Sequence, residues 1–594
     1  MQFCEIFDIF SLSPRIPGPA IFYLTLTDFY SILNAIMIQA ISIKDLSIRF
    51  PKQPKQILNQ LSLSIGKGEL VFIMGKSGSG KSILVKCLSG FIPNLYPCEF
   101  QGSVEVFGEL TNTRDICEIS RDIGVVSQNF EQQLFSSSVY LEVAFGPENL
   151  RIRPEEIRKL VKNVLLKTGL AGFEHRSPET LSEGERQRLA IASILSMKPK
   201  IMVFDESLTD LDPFGRNEIF SICEMIRMEG TCVIFVWNEA KEILHADRII
   251  LLDEGEIAAD EKPKDILRKP ALLEKCGVRP YQIPLLFHEM GYTRRLPIDI
   301  SEALKIAEEE KWVVSGKKYQ QLIEHDASYL KNYGDQAVWI TGMEHTYPNG
   351  IHALNNINLK IREGEFVAIA GGNGSGKTTL LNHLNGSLLP THGDVFVLGW
   401  NTMDVDFSQL SHQVGYVSHE HGNLLSASSV FEEVAFGPQN LGCSRDEIYR
   451  RVYDVLKMVK LEKYEDERPD LLTKGEQHRL ALASMFAIKP KIILLDEPVS
   501  GLDYQEIKNL MELLVELNQK GHTIVMATQC MWLIAEYSHR MIVMKDGEII
   551  GDDSVRDVFS DRNLLREANL LVPEIVEFGY GFGQSFLSVE EFLF

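Results

Sequence analysis

The chain lacks the cysteine patterns that mark a disulfide framework or a zinc site. Its nine cysteines are scattered over 594 residues, and none of them forms a C-x-x-C pair. Such spacing is typical of reduced thiols in a cytoplasmic protein. Hydrophobic residues make up 45% and charged residues 24% of the chain, which are ordinary values for a globular protein.

A long apolar run is missing as well. No stretch reaches the roughly 18 apolar residues of a membrane-spanning helix, and the closest one, residues 21–38, is interrupted by Asp28 and Asn34. The first 36 residues also lack the basic start of a signal peptide. We expect residues 1–36 to be an N-terminal extension for which no order is predicted, with translation from Met37 as an open alternative. Membrane contact would then require a partner.

An excess of positive charge is absent too. The sequence has 60 Lys and Arg against 82 Asp and Glu, a formal net charge of −22 at pH 7. Nucleic-acid binding depends on Lys and Arg that neutralise phosphates. The charge therefore disfavours a nucleic-acid partner.

What the sequence does contain is one glycine-rich motif, present twice. GKSGSGKS occupies residues 75–82 and GGNGSGKT residues 371–378, and both fit G-x-x-x-x-G-K-[ST]. In such a loop the backbone amides surround phosphates, the lysine reaches the terminal ones, and the last hydroxyl ligates Mg²⁺. The predicted ATP-binding residues of the two loops are Gly75, Lys76, Ser77, Gly78, Ser79, Gly80, Lys81, Ser82, Gly371, Gly372, Asn373, Gly374, Ser375, Gly376, Lys377, Thr378 and Thr379.

The sequence around these loops is repeated as well. ETLSEGERQRLAIAS (179–193) matches DLLTKGEQHRLALAS (470–484), and MVFDE (202–206) matches ILLDE (493–497), both at an offset of 291 residues (496 − 205). A repeat of this length indicates a duplicated domain. We predict a first domain at 37–258, a linker or appendage at 259–336, a second domain at 337–560 and a short C-terminal appendage at 561–594.

The local pattern in each half predicts an α/β fold. Apolar runs at 70–74 and 366–370 end in the glycine loops, as buried parallel strands do. Helices should begin at Lys81 and Lys377, which places their N-terminal dipoles at the phosphates. Further buried strands at 201–204 and 492–495 end in carboxylates, at the edge where open α/β sheets bind ligands.

Those carboxylates form two Asp-Glu pairs, which follow the loop lysines by 124 residues (205 − 81) and 119 residues (496 − 377). A solvated strand end is the alternative, but this placement favours a catalytic role. Asp205 and Asp496 are predicted to hold Mg²⁺ through water, together with Ser82 and Thr378. Glu206 and Glu497 are predicted general bases that polarise the attacking water.

With these motifs the chain resembles the ATP-binding cassette (ABC) ATPases from about residue 38 to 560. The family signature LSGGQ is present as LSEGE (181–185) and LTKGE (472–476). The resemblance implies two tandem P-loop NTPase domains, each with a RecA-like core, an antiparallel β subdomain and a helical subdomain that carries the signature. It also implies ATP hydrolysis with Mg²⁺.

In this family the signature of one domain faces the phosphate loop of the other. The resemblance thus implies a first composite site, residues 75–82 with Thr473 and Gly475, and a second composite site, residues 371–378 with Ser182 and Gly184. Head-to-tail pairing of the two domains within the chain is expected. Glu183 and Lys474 replace a signature glycine; either their side chains point away, or they make the two sites electrostatically unequal.

Further family elements match by position, and some depart from the pattern. Phe50 and Tyr347 resemble the aromatic residue that stacks on adenine, and Gln128 resembles the glutamine that senses Mg²⁺. The second half has His419 in place of that glutamine.

The family's switch histidine is missing from both halves. Asn238 (or Trp237, if the register shifts by one) and Gln529 stand there instead. Both side chains can donate a hydrogen bond to phosphate but carry no charge. We expect hydrolysis at both sites, slower than in a fully equipped member.

The string VAFGP-[EQ]-N-L, in residues 143–150 and 434–441, resembles the ATPase subunits of energy-coupling factor (ECF) transporters. This implies import of a vitamin or transition-metal ion through a transmembrane scaffold subunit and a membrane substrate-binding subunit, with the ATPase peripheral on the cytoplasmic face. Glu131, Glu142 and Glu148 are candidate partners for scaffold arginines. The alternative is a soluble twin-cassette ABC ATPase that acts on ribosomes or nucleic acid, for which the basic surface is missing.

Overall fold

The computed structural model describes residues 39–51, 55–208, 211, 213–238, 241–331, 333–418 and 425–593. The predicted N-terminal extension, Met37 and His419 lie outside these residues. No helix within the described ranges is long and apolar enough to cross a membrane.

The first half contains two sheets. One is antiparallel, in the order β2-β1-β4-β5, and the other has six strands in the order β10-β9-β3-β8-β7-β6, parallel except for the β9–β10 pair. The strands are β1 (Gln39–Arg49), β2 (Leu58–Gly66), β3 (Leu70–Gly75), β4 (Glu99–Val106), β5 (Glu109–Leu110), β6 (Ile123–Val126), β7 (Ile201–Asp205), β8 (Cys232–Val236), β9 (Arg248–Asp253) and β10 (Glu256–Glu261).

The second half repeats this plan, with sheets in the orders β12-β11-β14-β15 and β16-β17-β18-β13-β19-β20. Its strands are β11 (Gln336–Thr346), β12 (His352–Arg362), β13 (Phe366–Ala370), β14 (His392–Val397), β15 (Trp400–Asn401), β16 (Val414–Val417), β17 (Ile492–Asp496), β18 (Thr523–Ala527), β19 (Arg540–Lys545) and β20 (Glu548–Ser554). The predicted strands before the glycine loops and before the Asp-Glu pairs are present in both halves. These central strands are almost fully buried, as their unbroken apolar sequences predict.

Helices cover the sheets and connect their strands. In the first half they are Lys81–Leu88, Phe91–Asn94, Ile116–Asp122, Val139–Asn149, Pro154–Lys167, Glu183–Leu195 and Pro213–Met228. In the second half they are Lys377–Leu384, Phe407–Ser411, Val430–Asn440, Arg445–Met458, Lys474–Ala487, Tyr504–Gln519 and Met531–Tyr537. The predicted starts at Lys81 and Lys377 are confirmed, each directly after a left-handed glycine, Gly80 or Gly376.

The segments after each ATPase domain pack together. The linker forms Pro263–Ile266, Pro270–Lys275, Gln282–Glu289, Ile300–Glu309 and Gly316–Lys331, and the C-terminal part forms Val555–Ser560, Arg562–Glu567, Glu574–Gly579 and Val589–Leu593. Both contribute to one hydrophobic core, in which Phe287 of the linker lies near Phe578, with ring centroids 6.5 Å apart. Strand β10 runs to Glu261, past the predicted boundary at 258.

Candidate functional site: two phosphate loops and two signatures

Both loop lysines are folded back over their own loops. Lys81 Nζ donates to the carbonyl oxygens of Gly75 (2.6 Å) and Lys76 (2.9 Å). Lys377 Nζ donates to those of Gly371 (2.9 Å) and Gly372 (3.0 Å). Each lysine thus lies at the centre of its loop, where a bound phosphate would meet it.

The predicted metal ligands are adjacent in both halves. Ser82 Oγ donates to Asp205 Oδ1 (3.2 Å), and Thr378 Oγ1 donates to Asp496 Oδ2 (2.7 Å). Burial and then the charge of Glu206 raise the pKa of Asp205 to about 6. A hydroxyl beside a buried carboxylate is the oxygen donor set that Mg²⁺ prefers, and the cation would relieve the buried charge. The residues therefore fit the ion.

The two candidate general bases share an unusual backbone. Glu206 and Glu497 follow their strands with φ of 52° and 47°, in the left-handed region that non-glycine residues rarely adopt. Backbone of this kind persists where the surrounding structure imposes it, and it clusters at functional sites. Its presence at both matched positions supports a functional reason for the geometry.

The surroundings of Glu497 suit a general base. Its Oε2 accepts hydrogen bonds from Thr528 Oγ1 (2.9 Å) and from the Gln529 amide (3.3 Å). Its Oε1 is buried and, among the described residues, has no hydrogen-bond partner. Burial raises the pKa of Glu497 to about 7. The carboxylate is therefore held by one oxygen, while the other is left to accept a proton.

Glu206 has different neighbours. Its carboxylate lies 3.8 Å from Lys81 Nζ. Trp237 holds the position that Thr528 holds in the second half (528 − 291 = 237), and it stacks on Phe220 with centroids 5.9 Å apart. An indole cannot replace the hydroxyl that orients Glu497, because its only polar group is one N–H on a bulky ring.

The residues at the switch position contact the phosphate loops. Asn238 Oδ1 accepts from the Gly75 amide (3.0 Å), a contact with the phosphate loop that favours Asn238 over Trp237 for this position. In the second half Gln529 Nε2 donates to Asn373 Oδ1. Both amides therefore contact a phosphate loop, and their predicted hydrogen bonds to phosphate and roles in hydrolysis stay predictions.

Both signatures begin a helix through the same capping box. Ser182 Oγ accepts from the Glu185 amide (3.4 Å) while Glu185 accepts from the Ser182 amide (2.8 Å). Thr473 and Glu476 form the matching pair. These mutual bonds fix the first helical turn, so its free amides point along the helix axis, where they can meet an anion.

The second composite site is an open cavity of about 1150 Å³. The phosphate loop, the Asp496–Glu497 pair and Gln529 line one part of it, and Ser182, Glu183 and Gly184 of the opposite half line another. The structure thus brings the predicted partners of this site together within one chain. Since Glu183 lines the cavity, the interpretation that its side chain makes the two sites unequal gains support.

The first composite site is in direct contact with the opposite half. The Ser77 amide donates to Asp503 Oδ2 (3.0 Å), and Ser77 Oγ donates to Glu506 Oε2 (3.0 Å). Gln128 Nε2 lies 3.4 Å from the position a Cβ would take on Gly501. Residues of the second half from Gly501 to Glu506 therefore reach the phosphate loop and Gln128 of the first half.

The predicted adenine-stacking residues differ in their placement. Tyr347 lines the cavity, and its hydroxyl is 3.1 Å from Thr379 Oγ1. Phe50 is half-buried against the core of the first half and is not among the residues that line this cavity. Stacking stays a prediction for both.

The proposed role of Glu142 as a partner for scaffold arginines is wrong. Glu142 is 2% exposed, and its Oε2 accepts from the amides of Phe135 (3.1 Å) and Ser136 (2.8 Å). Glu433, its counterpart 291 positions later, accepts from the amides of Ser426 and Ala427 in the same way. Glu131 pairs with Arg186 (2.7 Å), and Glu148 is exposed.

Sequence reasoning missed Thr528 and Glu506. Neither belongs to a motif, but a position-by-position comparison of the two halves finds both, because Trp237 stands against Thr528 and Gly215 against Glu506 at the constant offset of 291 residues.

Known proteins support the same conclusion as the geometry. The ABC transporter family matches residues 58–209 and 354–500. A protein of Caldanaerobacter subterraneus subsp. tengcongensis, named as a candidate ABC transporter ATP-binding protein, is 42% identical over 93% of this chain and 98% of its own length. A similarly named protein of Methanosarcina acetivorans is 35% identical over 90% of this chain and 89% of its own.

Among solved structures, cbiO1 from Clostridium perfringens, part of the ABC transporter complex cbiONQ, is 34% identical. The alignment covers 41% of this chain and 97% of that one, with a TM-score of 0.36. The sequence matches, the doubled phosphate loops and the two facing signatures lead to one assignment. This chain belongs to the ABC transporter family, as an ATP-binding protein with two cassettes that binds ATP with Mg²⁺ and hydrolyses it.

Proposed function

We propose that this ATPase is the energy-coupling subunit of an ECF-type importer and drives uptake of a vitamin or a transition-metal ion through separate membrane subunits. The two VAFGP strings support this proposal, since they resemble those of ECF ATPase subunits. Glu206 and Glu497 would act as general bases, and ATP binding and hydrolysis would close and reopen the two composite sites.

The observation that carries the proposal is a matched pair of exposed aromatic residues. Phe145 is 47% exposed and Phe436, its counterpart 291 positions later, is 64% exposed. Phe135 (63% exposed) packs edge-on against Phe145, with ring centroids 4.7 Å apart, and Leu141 (46% exposed) lies on the same helix. Contiguous apolar side chains on a surface usually mark an interface.

Phe145 and Phe436 each lie on the helix that follows the glutamine position of their cassette. The helices are Val139–Asn149 and Val430–Asn440. Glu142, which is buried, and its counterpart Glu433 accept hydrogen bonds from amides of the loop before each helix. A loop bonded in this way holds the aromatic residue rigidly relative to the phosphate loop. Phe145 and Phe436 would each contact one of two amphipathic coupling helices of one membrane scaffold, with Glu148 as an exposed acidic residue for scaffold arginines.

Affinity purification of the tagged chain from solubilised membranes of its own organism tests this proposal. We expect an integral membrane scaffold and a small substrate-binding subunit to co-purify, and the double variant Phe145→Asp with Phe436→Asp to lose both. Met228→Asp is the matched control, because Met228 is 85% exposed but lies at the end of helix Pro213–Met228. Recovery of ribosomes without membrane subunits would contradict the importer.

A further inference from the structure

The first composite site holds a carboxylate in the space between its phosphate loop and its signature. Glu506 Oε2 accepts from Ser77 Oγ on the phosphate loop (3.0 Å). On the other side, a Cβ built on Gly475 of the signature would overlap Glu506 Oε1. The side chain thus contacts both of the elements that would enclose the terminal phosphate of ATP in a composite site.

The Glu506 side chain has a well-defined position, because several groups contact it. Glu506 is the third residue of helix Tyr504–Gln519, and its Oε2 also accepts from the Asp503 amide (3.1 Å), which completes a capping box. Arg479 Nη1 lies 3.7 Å from Oε1, and the Glu506 side chain is only 15% exposed. Asp503 accepts from the Ser77 amide in the same place (3.0 Å).

Among the described residues, the second composite site has a glycine at the position of Glu506. Gly215 is the counterpart of Glu506 (506 − 291 = 215), and it lines the cavity of about 1150 Å³. Both sites have a loop lysine, an Asp-Glu pair and a capped signature helix, whereas their signatures differ in charge, with Glu183 in the second site and Lys474 in the first. Glu506 therefore contacts the phosphate loop of the first site, whereas Gly215 contributes no side chain to the cavity of the second.

We propose that Glu506 is an internal anion that competes with the terminal phosphate of ATP at the first composite site and lowers the affinity of that site for ATP relative to the second. Two negative groups cannot share the space between one phosphate loop and one helix N-terminus without strong repulsion. ATP must therefore displace Glu506 from Ser77 before the signature can reach the phosphate. ADP lacks the terminal phosphate and competes with Glu506 much less.

This inference rests on the ATPase assignment and is independent of the transported solute. A competing role of Glu506 and a purely structural role as a helix cap lead to different measurable results. Loss of a cap would lower stability and affect ATP and ADP alike, whereas removal of a competing anion would favour ATP selectively.

The test is equilibrium binding of radiolabelled ATP and ADP to the full chain with Lys377→Ala, which weakens the second site and leaves the first. We expect Glu506→Gln to bind ATP about tenfold more tightly than the Glu506 protein, with ADP affinity changed less than about threefold. Glutamine keeps the shape and the capping bond, so this variant should fold. Glu506→Gly, which copies Gly215, should show the same selectivity.

The reciprocal variant Gly215→Glu with Lys81→Ala places the carboxylate in the second site and should weaken ATP binding there by a similar factor. Glu302→Gly is the cap control: Glu302 caps helix Ile300–Glu309 by accepting from the Ile298 amide (3.2 Å), far from both loops. It should leave both affinities unchanged.

Equal changes in ATP and ADP affinity, or no change with Glu506→Gln, would overturn the inference. If the Lys377→Ala protein binds no ATP even with Glu506→Gln, the assignment of the first site itself is wrong. The two failures are therefore distinguishable.

Discussion

The second composite site is an open cavity, whereas in the first the phosphate loop is already bonded to Asp503 and Glu506 of the opposite half. The candidate bases differ as well. Glu497 is oriented by the Thr528 hydroxyl, while Glu206 has Trp237 at the matching position and lies 3.8 Å from Lys81. A duplicated domain can thus keep all of its motifs and still acquire two unequal sites, through residues that belong to no motif.

We expect the second site to carry most of the hydrolysis. Its base is held by one carboxylate oxygen and has the other without a partner among the described residues. At this site ATP does not have to displace Glu506 before it binds. The first site would mainly bind ATP and turn over slowly. The following predictions test this inequality, from the largest expected effect to the smallest.

The largest effect should come from a charge placed in the signature that faces the second loop. A Cβ on Gly184 would meet only Leu211 Cδ2, at 3.8 Å, so a side chain fits there. Gly184→Asp would direct a carboxylate at the terminal phosphate and should lower the steady-state ATPase rate about 100-fold. Gly184→Ala, which adds volume without charge, should have a much smaller effect. Equal losses in the two variants would indicate a steric cause instead.

The next largest effect should follow loss of the hydroxyl that orients Glu497. Thr528→Ala removes a hydrogen bond to a charged group and should reduce the ATPase rate about tenfold. Thr528→Ser keeps the hydroxyl and should retain most of the activity. A Thr528→Ala protein with the normal rate would show that this bond does not position the base.

Introducing histidine at the two switch positions should have a smaller effect on the ATPase rate. Gln529→His offers a charged donor, whose hydrogen bond to phosphate is roughly twice as strong as a neutral one. We expect at least a roughly twofold rise in the ATPase rate of the complex, and less from Asn238→His because the first site contributes less. Unchanged or lower rates in both variants would show that the missing histidine is no handicap.

The pH dependence should show the smallest change. The pKa of Glu497 is raised by burial to about 7, and a general base must be ionised. The value of kcat/KM, which reports the free enzyme, should therefore fall as the pH drops below about 7. In Glu497→Gln the residual activity should lack this inflection. An identical profile in that variant would assign the inflection to another group.

The sequence was sufficient for everything that local patterns determine. Apolar runs predicted the central strands β3 and β13, and the glycine loops predicted helices from Lys81 and Lys377. The capping boxes at the two signatures are local as well, because they involve neighbouring residues only. Such features need no knowledge of which distant segments meet.

Contacts between distant segments could not be predicted in the same way. Glu506 and Ser77 are 429 positions apart, so only the folded chain shows that they bond. The burial of Glu142 depends on the loop that folds over it, and an isolated glutamate gives no sign of that. The functional inequality of the two sites lies largely in contacts of this kind.

The most direct test of the inequality compares two single variants of the candidate bases. The ATPase rates of Glu206→Gln and Glu497→Gln are measured side by side in the same complex, with ATP binding checked in each. We predict that Glu497→Gln lowers the rate about 100-fold, while Glu206→Gln lowers it less than about tenfold. Equal losses, or a larger loss with Glu206→Gln, would contradict the account.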